Sequence, residues 1–266
     1  MFGFRGEAIR LKNDDEIAGI RKSCHLLADM FNFVLPQVKA GMTTKAIDTL
    51  CHNFMTRHGG KPAWFREDFP GAACISINEE VIHGIPSKKR IIKDGDVVSI
   101  DVGIDLNGYI SDSTHTVLVG KVKPEYKKLD EVTLECLAAG IEACRVGNRI
   151  SDIAKAVCDI AESHGYGVVD EYTGHGVGLD VHEEPSIPNY YPFKGKNPRI
   201  QAGMVLAIEP MINLGAPGVY TLDDGWTVVT EDGKVSAHEE HTVAVFADHT
   251  EILTDLNYAG ATCIPK

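Results

Sequence analysis

Two stretches of the chain repeat the same apolar frame at helical spacing. In GMTTKAIDTLCHNFMTRHG (41–59), Ile47, Leu50, Cys51 and Phe54 recur at i, i+3, i+4 and i+7. In GNRISDIAKAVCDIAESHG (147–165), Ile153, Ala156, Val157 and Ile160 occupy the same places 106 residues later. Gly41/Gly147, Ile47/Ile153, His58/His164 and Gly59/Gly165 are identical in this alignment. Each pattern predicts an amphipathic helix that ends at His-Gly. The imidazole sits near the negative end of the helix dipole, and the glycine supplies the left-handed cap. The spacing predicts a further helix before each, roughly 14–35, capped by Asn13, and 127–144.

Between the helical segments the period changes to two. DVVSIDVGIDL and YISDSTHTVLVG flank Asn107-Gly108, the strongest hairpin signal in the chain. A two-residue turn pairs Leu106 with Tyr109, and therefore Gly103 with Asp112 and Asp101 with Thr114. Asp101 and Asp112 then share a face as diagonal neighbours, about 7–8 Å apart at the backbone. Gly103 between them is expected to leave the space open. The pair has two readings at this point: carboxylates that share an ion, or strand aspartates that face water. A one-residue bulge would put them on opposite faces. Strand-like segments with glycine turns follow each pair of helices. Helix, helix, sheet, twice over, predicts a pseudo-twofold α+β fold with halves at about 13–122 and 123–254. No Pro-, Gly- or Ser-rich linker divides them, so 1–266 reads as a single domain.

Composition narrows the class. A chain of 266 residues with 44% hydrophobic content can bury a sizeable core. No apolar run approaches the ~20 residues of a membrane span, and MFGFRGEAIR lacks a signal-peptide core. The seven cysteines show no CxxC or paired spacing, so the expectation is a reducing cytoplasm without disulfides. A net charge of −12 argues against nucleic acid as the main ligand. The basic segments SKKRIIK (87–93) and Lys194, Lys196 and Arg199 read first as solvated loops.

The chemistry gathers in five short phrases: VSIDVG, YISDST, GHGVG, LAIEPM and HEEHTV. They contain Asp101, Asp112, His175, Glu209 and Glu240, four carboxylates and one imidazole. That charge suits two divalent cations sharing bridging carboxylates, an arrangement used for hydrolysis of acyl or phosphoryl bonds. His175 lies in a glycine-flanked loop or short strand, Glu209 ends a strand that stops at Pro210, and Glu240 begins the strand HTVAVF. Most of the eleven histidines, including His115, His238 and His241, read as ordinary surface or core residues. HEEP at 182–185 is not a zinc-protease helix, because the second His is missing and Pro185 would interrupt it. Glu183 and Glu184 therefore read as structural.

The phrases ISINEEVIHGIP, DGDVVSIDVGIDLNGYISDST, GHGVGLDVHEEP, GMVLAIEPM and WTVVT…SAHEEHTV resemble the type I methionine aminopeptidases, in order and over nearly the whole chain. The resemblance implies the pita-bread fold and removal of the initiator methionine from nascent polypeptides. It implies two metal ions (Co, Mn, Fe or Zn) on Asp101, Asp112, His175, Glu209 and Glu240, with Asp112 and Glu240 as bridges. It also implies that Glu209 shuttles a proton, His182 polarises the scissile carbonyl, and His83 binds the substrate backbone. Cys74, Phe69 and Trp226 fall at the methionine pocket. Arg66 and Val181 stand where the family often has aromatic residues, which leaves the shape of that pocket open. Only 27 positions separate His182 from Glu209, where type II enzymes carry a large insertion. Further expectations are a monomer without membrane or nucleic-acid contact, and ribosome contact through 87–93 and 194–199. The alternatives are a proline-specific peptidase of the same fold, against which the roughly 100 residues before Asp101 weigh, and a non-catalytic pita-bread binding protein. The family accepts only small second residues, so a chain beginning Met1-Phe2 is expected to keep its own methionine.

Overall fold

The computed structural model describes residues 8–258. Met1 and Phe2 lie outside them. The first half opens with α1 (Asp14–Val34) and α2 (Thr44–Arg57). There follow β1 (Lys61–Pro62), β2 (Cys74–Ile77), β3 (Glu80–Ile82), β4 (Val97–Leu106) and β5 (Tyr109–Leu118). The second half opens with α3 (Pro124–Ala143) and α4 (Ile150–Ser163). After these come β6 (Gly167–Val168), β7 (Gly174–Gly176), β8 (Glu183–Ile187), β9 (Val205–Ile208) and β10 (Met211–Asn213). The last strands are β11 (Val219–Thr221), β12 (Val228–Thr230), β13 (Ser236–His238), β14 (Glu240–Val245) and β15 (Thr250–Ile252).

Local chemistry explains the helix ends. Asn13 caps α1 in a full capping box: its side chain accepts from Glu16 N–H, and the Glu16 carboxylate accepts from Asn13 N–H. Such a cap is worth about 1 kcal/mol. α3 begins at Pro124, earlier than its apolar period suggests, because proline presets the backbone angle of a first helical turn and has no N–H to leave unpaired. α2 and α4 start and stop at equivalent places in the repeat, Thr44 and Arg57 against Ile150 and Ser163.

A nine-stranded antiparallel sheet runs through both halves in the order β1-β4-β5-β14-β9-β7-β8, with β2 also on β4 and β15 on β14. The hairpin forms with Asn107 and Gly108 both at positive φ, 56° and 88°, as a primed two-residue turn requires. Leu106 pairs with Tyr109, Gly103 with Asp112 and Asp101 with Thr114, without a bulge.

Alternation along the strands then sorts the two faces. Val98, Ile100, Val102 and Ile104 of β4 pack with Leu27 and Phe31 of α1 and Ile47 and Cys51 of α2. On the other half, Leu206, Ile208, Val243 and Val245 pack with Leu137 of α3 and Ile153 of α4. The helices thus cover one face of the sheet. The odd-numbered residues of β4, Asp101 among them, turn to the other. There a further apolar cluster holds Trp64, Phe69, Cys74, Val177, Val181, Ala207 and Ala244. This is the α+β architecture expected of the pita-bread type, with the face that carries Asp101 available for chemistry.

Glu183 is structural, as its sequence context suggested. It forms a buried ion pair with Lys12 at 2.7 Å and accepts from the N–H groups of Leu179 and Asp180. Glu184 pairs with Lys196 at 3.0 Å.

Candidate metal centre and its cleft

Strand register builds the centre row by row. Cys74 on β2 pairs with Asp101 on β4, Asp101 with Thr114 on β5, and Thr114 with Glu240 on β14. Cross-strand partners share a face, so these four side chains form one line across the sheet. The Thr114 hydroxyl donates to Glu240 Oε2 at 2.9 Å. Asp112 occupies the adjacent row, its N–H and C=O both bound by the Thr242 hydroxyl, at 3.2 and 2.7 Å.

His175 enters from β7, paired with Ala207 on β9. Its glycine neighbours are required by space: a Cβ on Gly174 would lie 2.4 Å from the Ala207 carbonyl, and one on Gly176 2.5 Å from the Glu184 carbonyl. The ring's Nδ1 is 2.9 Å from the Gly176 carbonyl, so Nε2 faces the carboxylates, 3.3 Å from Glu209 Oε1 and 3.6 Å from Asp112 Oδ2. Glu209 follows the last residue of β9, and Asn189 donates to its carbonyl at 3.0 Å.

The centre is buried and unbalanced in charge. Burial, reinforced by neighbouring carboxylates, pushes Asp112, Glu209 and Glu240 well above the usual carboxylate range. Burial lifts Asp101 to about 6 and holds His175 far below its ordinary value. Asp101 Oδ1, Asp112 Oδ1 and Glu240 Oε1 have no hydrogen-bond partner among the described residues. Orphaned buried carboxylate oxygens are costly unless a cation satisfies them. Ligand atoms of Asp112, His175 and Glu240 all lie within 4.8 Å of one another. The donor set, oxygen with one imidazole, fits a divalent metal.

All ten residues singled out from the sequence line one cleft of about 870 Å³. His83 stands in it at φ 58°, a conformation rare for a residue with a side chain, and its ring meets Trp226 and Tyr172 edge-on. Burial holds His83 down at about 3, so its ring is neutral. The His182 ring lies 4.4 Å from that of His175, and its Nδ1 is 3.8 Å from Glu67. Phe69 meets Trp226 edge-on at 5.2 Å.

The sequence matches metallopeptidase family M24 over residues 18–247. The chain belongs to that family. Methionine aminopeptidase of Treponema pallidum is 59% identical over 247 residues, which cover 93% of this chain and 96% of the relative. The crystal structure of methionine aminopeptidase from Rickettsia prowazekii has a TM-score of 0.89 at 40% identity, covering 93% of this chain and 100% of that one. Prolidase from Pyrococcus furiosus shares the fold at a TM-score of 0.75 and 26% identity, but only 65% of its chain is covered against 92% of this one. Within M24 the chain therefore sides with the methionine aminopeptidases.

The space expected at Gly103 is filled. A Cβ there would lie 2.9 Å from Ala63 Cβ and 3.2 Å from the Trp64 ring, so the glycine admits the wall formed by residues 63–67. The Trp64 indole N–H donates to the Asp101 carbonyl at 3.4 Å. Arg66 is drawn away to Asp105 at 2.6 Å, and Val181 is fully buried in the apolar cluster.

Sequence reasoning missed Trp64, Glu67, Tyr172 and His238. Trp64, Glu67 and Tyr172 line the cleft from segments without a clear period. His238 is buried, with Nε2 3.6 Å from Glu209 Oε2. Its signal was present: it lies two residues before Glu240, the spacing that keeps side chains on one face of a strand.

Proposed function

We infer that this chain removes the N-terminal methionine from nascent polypeptides whose second residue is small. The observation that carries the reading is the direct contact of a buried carboxylate–imidazole centre with a soft apolar pocket. Asp101 and Cys74 are register partners, and Cys74, Phe69, Trp64 and Trp226 belong to one cluster. A methionine side chain and its own α-amine are separated by a few bonds, so one residue can occupy both regions. Sulfur and aromatic groups suit a thioether.

Asp101, Asp112, His175, Glu209 and Glu240 would together hold two divalent ions. Oxygen and nitrogen donors without thiolate suit Mn, Fe, Co or Zn. Divalent ions held there supply Lewis acidity and lower the pKa of water. Asp101 places negative charge where the free α-amine is expected. Glu209, whose carboxylate favours a proton, takes one from the attacking water and delivers it to the leaving amine. His182 donates to the carbonyl oxygen as charge develops there. His83, neutral and rigidly held, orients the backbone beyond the scissile bond.

The wider setting follows the same reading. Among the described residues no helix is long and apolar enough to cross a membrane, and the six cysteines are buried and unpaired, as suits the reducing cytoplasm where nascent chains emerge. Lys88, Lys89, Lys93 and Lys194 are exposed in the two basic loops and available to a ribosome, whereas Arg90 is committed to Glu79 and Glu80. We read the chain as a monomer.

The test is hydrolysis of Met-Gly-Met against Xaa-Pro peptides, with and without Mn²⁺ or Co²⁺. Metal-dependent release of methionine, with Met-Ala cut far faster than Met-Phe, is expected. A misplacement of about 1 Å by an oversized second residue can cost ~10²-fold in rate. Preference for Xaa-Pro peptides would transfer the chain to the proline-specific branch, and inactivity on all of them with metal bound would make it a binding protein.

A further inference from the structure

Two imidazoles approach Glu209, only one of which has been given a role. His175 Nε2 lies 3.3 Å from Oε1, and His238 Nε2 lies 3.6 Å from Oε2. His238 ends β13, where it pairs with Met211 of β10, two residues beyond Glu209. Its carbonyl accepts from the Thr116 hydroxyl at 2.8 Å, which ties the residue to β5. The side chain is buried at 2% exposure, and Nε2 has no hydrogen-bond partner among the described residues. A buried imidazole nitrogen without a partner costs about 1–3 kcal/mol. Packing does not require that nitrogen, since an apolar side chain would fill the volume without the cost. Glu209 Oε2, the oxygen that His175 does not face, lies 3.6 Å from that nitrogen.

We propose that His238 is a positioning residue for Glu209. Its Nε2–H is aimed at Oε2, so that Oε1 stays turned toward His175 and Asp112. A carboxylate has two equivalent oxygens and rotates freely about its last bond. Fixing one oxygen from outside decides which one faces the metal and the reacting water. Outer partners of ligating groups commonly set metal affinity by 10–100-fold. The contact is through Nε2, the ring atom furthest from the backbone, and this makes the inference specific. A glutamine amide nitrogen reaches about as far as His Nε2, whereas an asparagine nitrogen reaches only as far as Nδ1.

The experiment compares His238→Gln, His238→Asn and His238→Ala in the full chain. Mn²⁺ is titrated into metal-free protein by calorimetry, Tm is measured without metal, and turnover of a Met-Ala peptide is measured with saturating metal. Asn and Ala should weaken Mn²⁺ binding by roughly 10–100-fold and lower kcat with little change in KM. Gln should restore both to within a few-fold. The metal-free Tm should be similar for Gln and Asn. Equal behaviour of Gln and Asn, in metal affinity or in kcat, would overturn the proposal, as would wild-type affinity in all three variants. The Gln–Asn comparison decides the matter even if the alanine variant does not fold. This inference rests on the peptidase reading only for the kcat measurement. The Mn²⁺ titration stands if the substrate proves different, so failure of one is distinguishable from failure of the other.

Discussion

At the scale of single residues, position relative to the carboxylate centre decides what each histidine can do. His175 is locked by its Gly176 carbonyl contact and turned onto Glu209 and Asp112. The His182 ring lies tilted beside that of His175, at 4.4 Å between centroids, and its Nδ1 is 3.8 Å from Glu67 on the cleft wall. A group so placed can act on substrate without holding metal. We therefore expect His182→Ala to keep its metal and to lose turnover. The loss should be about 2.7–4 kcal/mol, roughly 10²–10³-fold in kcat, if the residue acts like one donor to a developing oxyanion. Metal analysis and steady-state kinetics check this together. An unchanged kcat with lowered metal content would make His182 a ligand instead. Sequence patterns located His175 and His182 through their Gly- and Pro-bounded phrases. They passed over His238, although it stands two residues before Glu240.

At the scale of elements, the β4–β5 hairpin is the best-determined part of the chain. Its turn, register and apolar alternation all point to one pairing, and consistency of that kind specifies a strand register strongly. What the hairpin packs against was less legible. Residues 63–67 form a short 3₁₀ turn without a repeating pattern, yet Trp64 from this turn walls the cleft over Gly103. Gly103→Ala should therefore act through the wall. The added methyl would push Ala63 and Trp64 outward, at a stability cost of about 1–3 kcal/mol for overpacking. KM for Met-Ala peptides should rise more than kcat falls, because the methionine pocket is displaced while the carboxylates keep their strands. Equal kcat and KM to wild type, together with unchanged Tm, would show that the wall yields without consequence. Arg66 illustrates the same limit: the sequence marked it as unusual, but only the fold supplies its partner Asp105.

For the molecule as a whole, the centre joins two halves of one sheet. Asp101 and Asp112 come from the first half, and His175, Glu209 and Glu240 from the second. Ions held between them bind only the folded state and so stabilise it. At 100 times its dissociation constant a ligand adds about 2.7 kcal/mol, roughly 5–10 °C in Tm for a chain near this size. Mn²⁺ should raise Tm by that order, and a chelator should reverse it. Protons compete for the same oxygens. Burial raises Asp101 to about 6 and pushes Asp112, Glu209 and Glu240 well above the usual carboxylate range, so the metal-free centre favours protons that binding must expel. Apparent metal affinity should therefore rise with pH and fall steeply as pH drops below about 6. Titrations in buffers of different ionisation enthalpy should report net proton release. No release at pH 7 would mean that the carboxylates are already ionised.

The sequence by itself determined what neighbouring residues can encode. Turn chemistry at Asn107-Gly108 set the hairpin register, Asn13 and the repeated His-Gly ends set helix limits, and five phrases marked the chemistry. These features depend on steric preference and period within a few residues, so they can be read one segment at a time. Only the tertiary structure decided how distant segments meet. Thr114 pairs with Glu240 across 126 positions, and Lys12 reaches Glu183 across 171. Trp64 closes over Gly103, and His238 turns onto Glu209. No local period carries such contacts, because they are fixed by packing the whole sheet against its helices, and many sequences satisfy the local rules without specifying that one arrangement.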